Sequence, residues 1–388
     1  MDNVLKSQML SGVHIKESKL LPKTLFTKLL NIQYPIIQAP MSPLTTPELV
    51  ANVSNAGGLG SIAAARMNRQ QLKAEIDKVR LLTSKPFAIN LFIPPSTPDT
   101  CTQDDVRAVK EVLNRILTRM NVTSIDMNKL KLINPPVNLY DEQIDVILQE
   151  RISVLSFTFG YPSSDIISKC KKLRIKLVGT ATTPRECLRL TEIGCDAICL
   201  QGSEAGGHRG SFLTKDKDTI EQSSIGLASL LSQCAQQSPP VPLIAAGGIM
   251  DAHGLISCLV LGASAIQMGT KFLTSDESTL IPSAHKQLLL DPSKIETTVL
   301  TRIYTGKPAR GIYTQLIDEF KTMDPKHILP WNIQSQLALE ISRYAAKHHQ
   351  LDFMQLWAGQ NYSKCEKKPA KQIVEDIIQE ANKILNGN

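Results

Sequence analysis

Between residues 36 and 270 the chain alternates short, largely apolar runs with longer stretches of helical periodicity. The apolar runs fall at residues 36–38, 59–62, 87–90, 154–157, 175–178, 197–200, 243–245 and 265–268. Each is apolar on successive rather than alternate residues, the pattern of parallel strands covered on both faces. Helix starts are written between them. Thr45, Thr46, Pro47 and Glu48 precede Leu49 and Val50, offering a cap and an early-turn proline. Thr182, Thr183, Pro184 and Glu186 repeat the arrangement, and Asp251 stands ready to cap the helix after the seventh strand. Eight βα units in a row close most economically as an α/β (β/α)8 TIM barrel. An open doubly wound sheet is the alternative, and it carries G-x-G-x-x-G after its first strand. Here that turn is Ala39-Pro40-Met41-Ser42-Pro43, which cannot make it.

The pattern divides the chain into an N-terminal extension over residues 1–28, a barrel over 29–275, and a mostly helical second, smaller domain over 276–388 packed on the barrel. Residues 91–153 form an elaborated connection between the third and fourth strands. They include Pro94, Pro95 and Pro98, a helical stretch near residues 104–120, and Pro135-Pro136. Such a connection reads as a lid or substrate wall. The loop from Thr305 to Gly311 interrupts the helical tail; Arg302, Tyr304, Lys307 and Arg310 around it could reach the rim or be solvated.

Composition narrows the class. Of 388 residues 42% are hydrophobic and 20% charged, which suits a globular protein with a sizeable core. The +7 net charge is scattered and aromatics make up only 5%, so nucleic acid is not the expected partner. No apolar run approaches the roughly 18 residues a membrane helix needs, and residues 1–28 lack a secretory core. Eight cysteines with no C-x-x-C pair read as reduced thiols of a cytoplasmic protein, without a metal site. Nothing in the pattern sets an oligomeric state.

The string Gln201-Gly-Ser-Glu-Ala-Gly-Gly-His-Arg-Gly210 follows the sixth strand and carries the candidate chemistry. Bare backbone around one imidazole, His208, is how a barrel presents catalytic groups at its C-terminal rim; a glycine turn with a surface histidine is the plainer reading. Gly247 and Gly248 after the seventh strand, and Gln267, Met268, Gly269 and Thr270 at the eighth, stand where barrels commonly hold phosphate on backbone N–H groups. Asn90 and Gln201 end the third and sixth strands. Their amides suit the edge of an isoalloxazine ring, and Met41 could pack against such a ring.

Six segments, Ile37 to Met41, Asn55 to Gly60, Ser156 to Gly160, Glu204 to Gly210, Ile244 to Ile249 and Gln267 to Thr270, together resemble the nitronate monooxygenases, once called 2-nitropropane dioxygenases. Leu356-Trp-Ala-Gly-Gln360 resembles that family's tail. The resemblance implies an FMN-dependent barrel that oxidises small anionic alkyl nitronates, such as propionate 3-nitronate, with dioxygen to a carbonyl compound and nitrite. It implies His208 as the catalytic residue. It implies flavin contacts from Met41, Asn90, Gln201, Gly206, Gly248, Gln267, Met268, Gly269 and Thr270. A flavin-dependent enoyl-thioester (enoyl-ACP) reductase and an NAD(P)H:quinone reductase share the barrel; Arg209 after His208 favours the monooxygenase. A passive flavin binder and a metal-dependent aldolase fit less well.

Overall fold

The computed structural model describes residues 20–95, 100–127, 138–213, 224–237 and 239–387. Most of the 1–28 extension, residues 96–99 of the proline-rich stretch and Pro135-Pro136 lie outside these. The barrel half begins with α1 (Leu25–Leu30), β1 (Ile36–Gln38), α2 (Pro47–Asn55), β2 (Gly60–Ala63), α3 (Arg69–Leu82) and β3 (Phe87–Phe92). Next come α4 (Gln103–Arg119), α5 (Tyr140–Gln149), β4 (Val154–Thr158), α6 (Ser164–Lys172), β5 (Lys176–Ala181) and α7 (Pro184–Glu192). It closes with β6 (Ala197–Gln201), β7 (Gly207–His208), α8 (Leu227–Gln236), β8 (Leu243–Ala246), α9 (Ala252–Val260) and β9 (Ala265–Met268). The tail holds α10 (Thr270–Leu273), α11 (Ser283–Leu290), β10 (Thr298–Thr301), β11 (Ala309–Ile312), α12 (Gln315–Phe320), α13 (Trp331–Lys347) and α14 (Ala370–Asn386).

Eight parallel strands run in the order β1-β9-β8-β6-β5-β4-β3-β2, and a parallel bridge between Ile37 and Leu59 joins the two ends. The sheet is a (β/α)8 barrel. The helix starts read from sequence are built as expected. Thr46 Oγ1 accepts from Leu49 N ahead of Pro47, Thr183 accepts from Glu186 N, and Asp251 accepts from Gly254 N. Small and β-branched residues, among them Ala88, Val154, Val178, Ala197 and Ala265, fill the interior. Phe26, Leu30 and Ile32 join that same cluster, so α1 plugs one mouth of the barrel. The outward faces of the strands pack on the helices in one large cluster.

A second cluster brings α4, from the long 91–153 connection, against α11, α12, α13 and the segment around Leu356. The final helix, α14, returns to the barrel's own cluster through Ile373, Val374 and Ile377. The tail also contains strands that the helical pattern does not announce. β10 and β11 form an antiparallel hairpin, and β7 adds to it in the register Ala309–His208 and Arg310–Gly207. This small sheet ties the His208 loop to the tail. No helix among the described residues is long and apolar enough to cross a membrane.

Candidate active site

All ten residues singled out in the sequence line one cavity at the rim where the barrel strands end. How each is held differs. Asn90, buried on β3, donates from Nδ2 to Ser156 Oγ at 3.0 Å, and among the described residues its Oδ1 has no protein partner. Gln201 spends its amide on the loop it begins: Nε2 donates to the His208 carbonyl and Oε1 accepts from Gly210 N, both at 2.8 Å. Its first task is to fix the backbone on either side of Arg209.

Two carboxylates anchor the rest of that loop. Glu204 accepts from Leu227 N with both oxygens at 2.9 Å, capping α8, which has no side-chain cap of its own. Glu186, fully buried, accepts from Thr182 N, Phe212 N and Leu213 N at 2.7, 2.6 and 2.9 Å. Arg209 turns away from the cavity and donates to the carbonyls of Gln201 and Gly202 at 2.8 and 2.6 Å. Burial lowers its pKa to about 10 against the opposing pull of Glu186 and Glu204. The residue after His208 is therefore a brace under the loop.

His208 bonds through Nε2 to Thr305 Oγ1 at 2.8 Å, which leaves Nδ1 as its ring nitrogen without a partner among the described residues. The ring meets Phe92 and Phe159 edge-on at 6.0 and 5.9 Å and lies tilted 5.4 Å from Trp357. Burial, then the charges of Arg66 and Lys307, push its pKa down to about 3, so the imidazole is neutral near pH 7. Lys307 Nζ sits over the Phe159 ring at 4.9 Å. Thr305, Trp331 and Arg66 also line the cavity, and none carries a sequence signal. Tyr304 and Arg310 are buried structural groups instead: Tyr304 donates to Ile312 O, and Arg310 to Ser203 O and Thr298 O. Within the 91–153 connection only Phe92 of the described residues lines the cavity; α13 supplies wall through Trp331 and Leu339.

The glycine turns form the opposite part of the cavity. Gly247 and Gly248 adopt φ of 122° and 69°, values that L side chains rarely tolerate. Among the described residues the N–H groups of Gly247, Gly248 and Gly269 have no protein acceptor, so three donors are available to an anion. A strap from the tail stitches these turns together. Gly359 N donates to Thr270 Oγ1, Gln360 N to Glu204 O, and Asn361 Nδ2 to Gly248 O, at 2.9, 3.0 and 2.9 Å. A phosphate-bearing cofactor fits this donor set.

Behind the site, His285 is buried and bonds through Nε2 to the Trp357 carbonyl at 3.1 Å. Burial depresses its pKa to about 4 despite that bond. In the unfolded chain both His208 and His285 titrate near 6.5, so the folded state binds fewer protons as pH falls. Their stabilisation is complete above pH 6.5 and is lost on acidification towards pH 4 for His285 and pH 3 for His208. Melting curves at pH 7 and pH 4 should show His285→Gln, which keeps a donor for Trp357 O, recovering on the order of 2 kcal/mol of the acid loss. An unchanged acid slope would refute this.

Fold and site together define a barrel enzyme whose rim joins anion-receptive glycine turns to an aromatic pocket around one neutral histidine. Residues 23–380 match the family model for nitronate monooxygenase. A protein of Staphylococcus aureus (strain Newman), described as a probable nitronate monooxygenase, is 41% identical over 372 residues, covering 94% of this chain and 98% of its own. A solved nitroalkane oxidase from Streptomyces ansochromogenes superposes with a TM-score of 0.81 at 32% identity, over 94% of this chain and 99% of that one. FabK from Thermotoga maritima superposes with a TM-score of 0.72 at 27% identity, over 95% and 98%. The chain belongs to the nitronate monooxygenase family of flavin-dependent oxidoreductases.

Proposed function

We propose that the chain oxidises alkyl nitronates, propionate 3-nitronate among them, with dioxygen at an FMN, giving a carbonyl compound and nitrite. The observation that carries this reading is the junction in one cavity of free glycine N–H groups with a neutral imidazole walled by aromatic rings. The Gly247–Gly248 and Gly269–Thr270 turns would hold the phosphate. Asn90, Gln201, Gly206, Gln267 and Met268 would border the ring system, with Met41 against it. FMN, when bound, supplies the electron acceptor and the reaction with dioxygen.

The protein's part is orientation. His208, fixed by Thr305 through Nε2, offers Nδ1 to the substrate; with a neutral nitroalkane the same neutral ring accepts the α-proton. The rings of Phe92, Phe159, Trp331 and Trp357 exclude water from that encounter. All eight cysteines are free thiols, which supports a reducing, cytoplasmic setting.

The test is anaerobic mixing of the flavin-loaded protein with propionate 3-nitronate, and separately with NADPH and NADH. Bleaching of the flavin absorbance by the nitronate alone, with nitrite released on admitting air, is the expected result. Rapid bleaching by a nicotinamide with an inert nitronate would move the chain to the enoyl-thioester or quinone reductases.

A further inference from the structure

Among the described residues lining the cavity there is no aspartate or glutamate, and Arg66 is the one side chain with a fixed charge. It stands in the loop after β2, exposed at the cavity mouth. Nη2 donates to Ser335 Oγ of α13 at 3.0 Å. No carboxylate pairs with it among the described residues, whereas Arg69, Arg80, Arg119 and Arg189 each have one. The charged neighbour it does feel is another cation, Arg343. One helical turn before Ser335, Trp331 lines the same cavity with its Nε1–H shielded from solvent and unpartnered. The guanidinium fork thus has four of five donors left, beside an orphan indole donor, in a cavity without an anion of its own. Nor do the glycine turns explain it: they follow β8 and β9, and β1 separates β9 from β2.

We propose that Arg66 is a specificity residue that receives a carboxylate on the substrate's tail, sorting nitronates by the charge at the end remote from the reacting group. This rests on the nitronate-oxidation reading above. Trp331 forms the aromatic wall next to that carboxylate, and the neutral His208 is left to the nitronate end.

The experiment compares kcat/KM for propionate 3-nitronate and for propyl-1-nitronate in the wild type, Arg66→Met and Arg66→Lys, each with its flavin content measured. The wild type should favour the carboxylated substrate. Arg66→Met should shrink that ratio on the order of tenfold to hundredfold, through KM, as expected for losing charge-assisted hydrogen bonds; Arg66→Lys should recover part. An unchanged ratio, or flavin loss in Arg66→Met that explains the defect, would overturn the proposal. A second measurement needs no variant. Trp331 and Trp357 are the chain's two tryptophans and both line the cavity, so intrinsic fluorescence can follow titration of the flavin-loaded protein with butyrate and with its neutral isostere butyramide. Butyrate should bind at least about tenfold tighter; equal binding would overturn the assignment. If neither nitronate is oxidised but butyrate is preferred, the oxidation reading fails while the carboxylate site stands.

Discussion

His208→Asn should lower oxidation of a neutral nitroalkane, whose α-proton the ring accepts, by a factor on the order of 10² to 10⁴, the usual range for losing a positioned acid–base group. The reason is specific to this geometry. Thr305 holds Nε2 at 2.8 Å, and two aromatic edges and the Trp357 face fix the ring plane, so the other nitrogen has one place to point. Asparagine is shorter and cannot satisfy Thr305 and reach the substrate together. The flavin spectrum should stay as in the wild type, because the loop backbone is held by Gln201, Glu186 and Arg209 rather than by the imidazole. Because its pKa sits near 3, the ring does not titrate between pH 5 and 8, and kcat/KM for a preformed nitronate should show no inflection from it there. A bell centred near pH 6.5 that vanishes in His208→Asn would contradict the neutral-ring assignment.

Gly206→Ala should be nearly as damaging, by a different route. A Cβ there would lie 2.6 Å from the backbone of Ala358 and Gly359, a separation that real Cβ atoms do not show. The strap must move, and with it go the bonds of Gly359 to Thr270 and Gln360 to Glu204. Flavin affinity should fall by about fivefold to a hundredfold, read by fluorescence of released flavin, as expected for an overpacked backbone contact costing roughly 1–3 kcal/mol. Gly207 provides the comparison. Its φ of 76° strains alanine, but nothing lies within 4 Å of the added carbon. Gly207→Ala should therefore cost about 1 kcal/mol of stability and leave flavin retention far less changed. Equal retention in the two variants would mean the strap does not shape the site.

Much of the barrel was legible because parallel strands buried on both faces are continuous apolar runs, and because Thr46, Thr183 and Asp251 cap with their own side chains. Boundaries drifted where a strand carries polar or small residues at its rim. β5 continues through Gly179 and Thr180, and β3 through Leu91 and Phe92. The β10–β11 hairpin was hidden because Arg310 and Gly311 break its alternation. Arg310 is buried only by donating to Ser203 and Thr298 carbonyls from elsewhere in the chain. The glycine turns and His208 were visible from their position after strands. Arg66, Trp331 and Thr305 were not, since what brings them to the rim is the packing of α13 and the hairpin onto the barrel, which no local pattern encodes.

The strap at residues 357–361 also sets a timetable. It arrives roughly 90 residues after the last barrel strand has left the ribosome, yet it supplies hydrogen bonds that the turns at Glu204, Gly248 and Thr270 depend on. A nascent barrel can be fully paired in its sheet while its rim stays open. The cavity is finished by a segment made well after the sheet, so assembly of the working site waits on the tail rather than on the barrel.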